Sequence, residues 1–394
     1  MNKLAFFNSG IDVFSNFLVF LIGAIIIISI AGAFNASRVR VFGLYMWHTI
    51  FSIAYAYIST FKIADSTGYY LVSLDPVEEF YIGSRAIENL TAIFSQGLGL
   101  SYLGSFLIFN IFGVIGLIAF DAALRHATID KSKFVKQLAM IVVLLPSINF
   151  WTSAIGKDSL SFMATCLALW SAIHLRKRYF MMMIAVLVMF IVRPHISGIM
   201  VISLAIAIVL SQGINYLQKI IFLALSIIAV ILITPIMFGY IGLQADVTVE
   251  SIQELIKLRQ SFNQAGDGRI DISSMGLPEQ VFSYLFRPLP HQAHSFFALM
   301  ASLDNLFLLL VFLLFIQSLL KLKKSTILFM HPQENRWFMI IFAITTLLIL
   351  AVTTANSGIA VRQKWMFMPM LLYFFFLFMH IKLTYRVYRL RRVK

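Results

Sequence analysis

The chain has 394 residues, of which 60% are hydrophobic and 12% charged, with a mean hydropathy of +0.89. Soluble domains carry roughly 25% charged residues, and disorder requires low hydrophobicity, so both classes are excluded. Lysine and arginine number 31 against 17 acids, a formal net charge of +14; in a chain this apolar the excess points to a basic cytoplasmic face, not to nucleic acid.

A hydrocarbon core of about 30 Å takes about 20 apolar residues per helix. Eleven stretches meet or approach that length: 12–34, 41–62, 101–123, 137–155, 159–175, 180–192, 196–212, 220–240, 297–320, 337–356 and 364–382. The expected fold is all-α, a polytopic membrane protein with about 11 transmembrane helices forming a single domain over 1–394. The first stretch is too long for a signal-peptide core and reads as a retained helix. With the N-terminus outside and the C-terminus inside, the inner segments hold 20 of the 31 basic residues and three acids, a net of +17. The remainder carries −3, a positive-inside pattern.

Two long segments then lie outside, 63–100 and 241–296. In the first, Asp75-Pro76-Val77-Glu78 reads as a capping box opening an amphipathic helix, with Val77, Phe80, Tyr81, Ile87, Leu90, Ile93 and Phe94 on its apolar stripe. In the second, Ser251-Ile252-Gln253-Glu254 repeats the pattern, and Gly266, Gly268 and Gly276 predict a mobile loop after it.

Four cationic motifs break the apolar runs at the outer mouths. They are Pro146–Asp158, with Trp151, Lys157 and Asp158; Arg193-Pro194-His195; Arg287–His294, with His291; and Asn356–Lys364, with Arg362. The sixth stretch has about thirteen apolar residues before Arg193 and rises only ~20 Å, which places Arg193 inside the bundle. Pro194 is expected to end or kink that helix. A buried arginine at mid-membrane costs about 2.5 kcal/mol or more and needs a partner, for which an anionic substrate qualifies. Asp304, beside Ser302 and Asn305, is expected either to pair with a mouth arginine or to hydrogen-bond structurally.

The chemistry follows from charge. Arginine binds phosphate oxygens in bidentate fashion and neutralises a pyrophosphate leaving group without a metal. An attacking sugar hydroxyl needs a base, for which Asp65, His195, His291 and His294 are the candidates. The sequence has one cysteine and no HExxH, CxxC, Walker A or GxGxxG motif, so no metal or cofactor is expected.

Five short elements carry a family resemblance: Asp65-Ser66 with Tyr69-Tyr70, Pro146-Ser147 with Phe150-Trp151 and Lys157-Asp158, Arg193-Pro194-His195, Phe286-Arg287-Pro288, and Asn356 with Gly358, Arg362 and Gln363. Together they resemble the Wzy-type polymerases of bacterial O-antigen and capsule clusters and, more loosely, the GT-C membrane glycosyltransferases. The resemblance implies an inner-membrane protein with a periplasm-facing cavity. It also implies an undecaprenyl-pyrophosphate-linked oligosaccharide as substrate, and a chain-length regulator and a flippase in the same pathway. Arg193, Arg287 and Arg362 would hold pyrophosphate, with Lys157, Asp158, Tyr69 and Trp151 in the substrate site, and Asp65, His195 or His291 would act on the acceptor hydroxyl. GT-C enzymes often carry a paired acidic motif in the first outer loop; here Ser66 follows Asp65. The alternatives are a GT-C transferase using a polyprenyl-phosphate sugar and a lipid-linked oligosaccharide flippase.

Overall fold

The computed structural model describes residues 6, 9–61, 64–76, 79, 81–211, 215–242, 248–262, 268–293, 295–321 and 335–379. These are helical almost throughout, and the single strand-like feature among them is an isolated bridge between Arg269 and Asn356. Among the described residues seven helices are long and apolar enough to cross a membrane, including Gly10–Phe34, Arg38–Ser59, Tyr102–Ala127, Phe296–Leu320 and Arg336–Thr353. Two shorter apolar helices, Pro194–Leu210 and Met368–Phe378, accompany them.

In chain order, α1 spans Gly10–Ser29, α2 Arg38–Ser59, α3 Asp65–Val72, α4 Ser84–Ser95 and α5 Tyr102–Ala127. There follow α6 (Lys133–Val143), α7 (Pro146–Trp151), α8 (Lys157–Ile173), α9 (Leu175–Val192), α10 (Pro194–Leu210) and α11 (Tyr216–Ile241). The remainder are α12 (Val249–Phe262), α13 (Leu277–Phe286), α14 (Phe296–Leu320), α15 (Arg336–Thr353), α16 (Ser357–Gln363) and α17 (Met368–Phe378).

The core is organised around α5 and α8, which pack on each other and on most other long helices. Both bury residues on every side, as expected of helices enclosed by others, and every α8 residue from Asp158 to Ile173 is buried. Gly116 sets their spacing: a Cβ there would stand 2.8 Å from the Met163 Cα and 2.9 Å from the Phe162 ring. Small residues at such crossings let backbones approach where lipid supplies no hydrophobic drive. The outer helices leave broad apolar faces exposed, including Ile11, Phe14 and Ile25 on α1 and Leu306, Leu310 and Leu313 on α14, as a lipid-facing surface requires.

One group of buried polar side chains is paired across three helices. His48 on α2 lies 2.6 Å from the Asn110 Oδ1 on α5 and 3.0 Å from the Thr152 Oγ1 after α7, and the Asn110 amide donates to Thr49. This triangle fixes α2 against α5 and α7.

The helices define two opposite ends. At one, the C-terminus of α2 meets α3 and the start of α5 through the Tyr102 hydroxyl, 2.8 Å from Ser59 Oγ and 3.3 Å from Thr67 Oγ1. At the other, the start of α2 meets the end of α5, where Arg40 and Arg125 both bond Asp121. Lys131 at that second end donates to the Leu377 and Met379 carbonyls of the α17 terminus, and Arg178 lies 3.5 Å over the Trp170 ring.

Both predicted outer helices exist, with different starts. Residues 77, 78 and 80 of the first expected helix lie outside the described residues, and the helix described there, α4, begins at Ser84. It buries Ala86, Ile87, Thr91, Ala92 and Ser95, so Ile93, placed on the apolar stripe from its spacing, is 59% exposed. The buried side is chosen by hydrogen bonding: Ser95 Oγ meets Ser73 Oγ at 2.9 Å, and the Gln96 amide donates to the Ser73 carbonyl at 2.7 Å.

In the second loop the cap of α12 is Thr248, three residues before the expected Ser251. Thr248 Oγ1 accepts from Ser251 N while Ser251 Oγ accepts from Thr248 N, a reciprocal pair that leaves Ser251 inside the first turn. From Gly268 on, the segment after it is pinned by backbone bonds where its glycines predicted a mobile loop. Gly266 lies outside the described residues, but Gly268 is bonded through its carbonyl to Ser357 N at 2.8 Å, and Ile270 N donates to the Ala355 carbonyl. A Cβ on Gly268 would stand 2.8 Å from Asn356 Oδ1, so this close crossing selects glycine. Gly276 caps α13 and donates to the Glu279 side chain.

Candidate functional site

The first-named end gathers four charged residues from four separate elements. Asp65 is the first residue of α3, Asp158 lies in the first turn of α8, Arg193 sits in the break between α9 and α10, and Arg362 lies on α16. They form an alternating chain. Arg193 Nη2 stands 2.8 Å from Asp158 Oδ1, Arg362 Nε 2.9 Å from Asp158 Oδ2, and Arg362 Nη2 2.8 Å from Asp65 Oδ2.

Local sequence explains each placement. Regular helix runs through α9 between Arg178, itself non-helical, and Val192. Pro194 takes the first turn of α10, so Arg193 adopts the non-helical φ −144°, ψ 76° between them. Arg193 is largely enclosed, its side chain 11% exposed, and its partner is the protein's own Asp158. Asp158 gains from the α8 N-terminus, where the helix dipole favours a carboxylate. Asn356 accepts from Gly358 N and Ile359 N and so caps the short helix that aims Arg362.

Aromatic rings complete the mouth. The Arg362 guanidinium lies 5.1 Å from the Trp151 ring centre, an attractive cation–π geometry. Trp151 stands edge-on to Tyr55 at 5.6 Å, and Tyr55 stacks on Phe150 at 4.4 Å. Tyr69 on α3 passes near Gly156, just before Asp158. Burial pushes its phenol up to about 12, with the Asp65 carboxylate adding to the shift, so it stays a neutral hydrogen-bonding group.

Exposure separates the two acids. Asp158 is buried, whereas the Asp65 side chain is 58% exposed while still joined to Arg362. The arrangement thus offers an open carboxylate beside a guanidinium that is anchored from behind.

Of the other expected site residues, Lys157 opens α8 beside Asp158, and His195 lies in the first turn of α10 beside Arg193. The charges of Arg193, Arg259 and Lys157 all act on His195, so the imidazole sits in a cationic neighbourhood. Arg287 ends α13, with its Nε buried and without a partner. His291 is exposed on the 3-10 turn Pro290–Gln292; none of the contacts described above joins either residue to the Asp158 chain. His294 lies outside the described residues.

Some motif members serve packing. Ser66 turns to the Tyr102 hydroxyl at 3.5 Å, and Tyr70 donates to the Leu100 carbonyl. Lys364, grouped by sequence with Arg362, points into the bundle. It is fully buried, and its ammonium donates to the Asn305 side chain and the Leu285 carbonyl. Asp304 accepts from Ser147 N at 2.6 Å, the structural alternative among those the sequence left open for it.

Sequence reasoning missed Arg259 and Tyr284. Arg259 on α12 adds positive charge to the field at His195, and Tyr284 is buried, which pushes its phenol well up, with Arg193 and Asp158 acting on it in opposite senses. Helical spacing from Phe286 and Arg287 was a usable signal for Tyr284; nothing local marked Arg259.

Comparison with protein-family models, curated proteins and solved structures returns no match. The class rests on the architecture: an all-helical protein with several helices able to span a membrane.

Proposed function

We propose that this protein is a glycosyltransferase of the bacterial inner membrane, polymerising undecaprenyl-pyrophosphate-linked oligosaccharide units into O-antigen or capsule. In this reading all eleven stretches cross the bilayer, with the N-terminus outside and the C-terminus inside. The Asp65–Arg362–Asp158–Arg193 chain then faces the periplasm, at the mouth opposite the basic Arg40–Arg125 end.

The observation that carries the reading is the position of Arg362, held by buried Asp158 on one side and open to Asp65 on the other. An incoming pyrophosphate competes with Asp65 for the outer guanidinium edge, while Asp158 and the Trp151 face keep the group in place. Arg193 and Lys157, with Arg287, add positive charge for the departing lipid pyrophosphate. Asp65, once released from Arg362, is free to accept the proton of an acceptor sugar hydroxyl, with His195 and His291 as the other candidates.

The test is the surface-glycan length profile of a deletion strain complemented with Arg362→Ala, Arg193→Ala or Arg287→Ala. Long chains should collapse to single repeats at normal protein levels; unchanged length in all three sinks the proposal. The exposed carboxylate at the start of the first outer loop favours a second reading, a GT-C transferase using a polyprenyl-phosphate sugar. That reading requires divalent metal dependence and complete loss of transfer in Asp65→Asn.

A further inference from the structure

The end of the bundle opposite the candidate site holds a cavity of about 470 Å³, within the size range of small-molecule sites. It lies between the starts of α2 and α6 and the ends of α5 and α8. Its walls include Arg40, Arg125, Lys136, His126, Trp170 and Asp121. Three cations face one carboxylate, a local excess of two positive charges.

The carboxylate is fully engaged. Asp121 is buried and accepts from Arg40 Nε at 2.8 Å, Arg40 Nη2 at 2.6 Å and Arg125 Nε at 2.9 Å. Arg125 spends its remaining nitrogens on the Asn35 and Phe34 carbonyls. Both guanidiniums are therefore fixed in place, while the Lys136 side chain is exposed on the first turn of α6. Two helix N-termini, those of α2 and α6, add positive dipole ends beside the same space. Most of the wall comes from helix ends and the turns that follow them. Basic pockets between transmembrane helices at membrane-surface depth are the pattern that receives phosphate headgroups.

We propose that this cavity binds a phosphate group, held between Arg40 and Lys136, with an anionic phospholipid headgroup as one source and free phosphate as the other. Asp121 acts as the positioning residue that keeps Arg40 and Arg125 from swinging out to solvent. The assignment is independent of the chemistry at the opposite mouth.

The test uses the purified full chain in phosphatidylcholine nanodiscs doped with phosphatidylglycerol, with bound lipid counted by native mass spectrometry. A parallel arm titrates inorganic phosphate. Lys136→Gln should weaken phosphatidylglycerol retention about fivefold, the effect of one basic residue near a membrane surface. Lys133→Gln, one turn-start away and outside the cavity wall, should leave retention unchanged. Displacement of the lipid by millimolar phosphate identifies free phosphate as the ligand; resistance to it identifies the headgroup. Equal retention of phosphatidylcholine and phosphatidylglycerol with no phosphate binding overturns the proposal, as does an equal loss in the two lysine variants. The Lys136 side chain is exposed, so its variant keeps the fold, which monodisperse gel filtration verifies.

Discussion

Arg362 Nε stands 2.9 Å from the Asp158 carboxylate, across 204 residues of sequence. The contact joins a short helix near the end of the described chain to the first turn of the most enclosed helix in the bundle. It gives Asp158 a second guanidinium beside that of Arg193, and it leaves Arg362 with its outer edge toward Asp65.

Asp158→Ala removes the shared partner of two arginines. Breaking a buried ion pair from one side costs about 3–5 kcal/mol, because the remaining charge is left uncompensated. The variant should unfold at clearly lower denaturant in detergent, and adding Arg193→Met should recover part of the loss. Additive losses in the double variant would show that Asp158 and Arg193 are not coupled.

Asp65→Asn acts differently. The side chain is 58% exposed, and exposed ion pairs contribute about 0–1 kcal/mol. Thermal stability should barely move, while glycan transfer falls. A stability loss as large as that of Asp158→Ala would assign Asp65 to architecture.

Gly268→Ala places a Cβ 2.8 Å from Asn356 Oδ1 and 3.1 Å from Ser357 Oγ. Either the Gly268–Ile270 segment lifts or the cap of α16 shifts, and both release the Ser357 amide from the Gly268 carbonyl. Hydrogen exchange at Ser357 and Ile270 should quicken, and glycan length should shorten with Arg362 itself intact.

Lys131, in the turn between α5 and α6, is held down to about 8 by burial, with Asp130 opposing the shift. Its folded value lies below its unfolded one, so between pH 8 and about 10.4 the unfolded chain binds more protons and stability rises with pH. Below pH 8 the lysine is charged in both states and its unfavourable contribution is fully present. Lys131→Gln should flatten this slope, read as the denaturation midpoint across that window.

Helix positions were legible wherever apolar length alone decides, as in α1, α5 and α14. The Arg193 break was legible too, because Pro194 imposes it through local sterics. Starts of amphipathic helices were not. Ser251 and Asp75 both offered capping patterns, yet Thr248 caps α12 and α4 begins at Ser84. Several hydroxyls within one turn satisfy the same backbone donors, and tertiary bonds such as Ser95 with Ser73 choose among them. At the site, the sequence gathered Arg193, Arg362, Asp158 and Asp65 at one mouth by topology. It had no means to pair them, since distance along the chain carries no angular information. Lys364 shows the same limit: two positions from Arg362, it turns inward because α13 and α14 present a carbonyl and an amide there.

The order of these pairings has a consequence for biogenesis. Asp158 and Arg193 leave the ribosome within 35 residues of each other, so the first ion pair is available as soon as α8 to α10 have been made. Arg362 emerges far later, and until it docks, Asp65 and one carboxylate oxygen of Asp158 wait without it. A chain stalled before residue 362 therefore holds Asp158 with its charge paired to Arg193 but one oxygen unbonded, and Asp65 without its guanidinium.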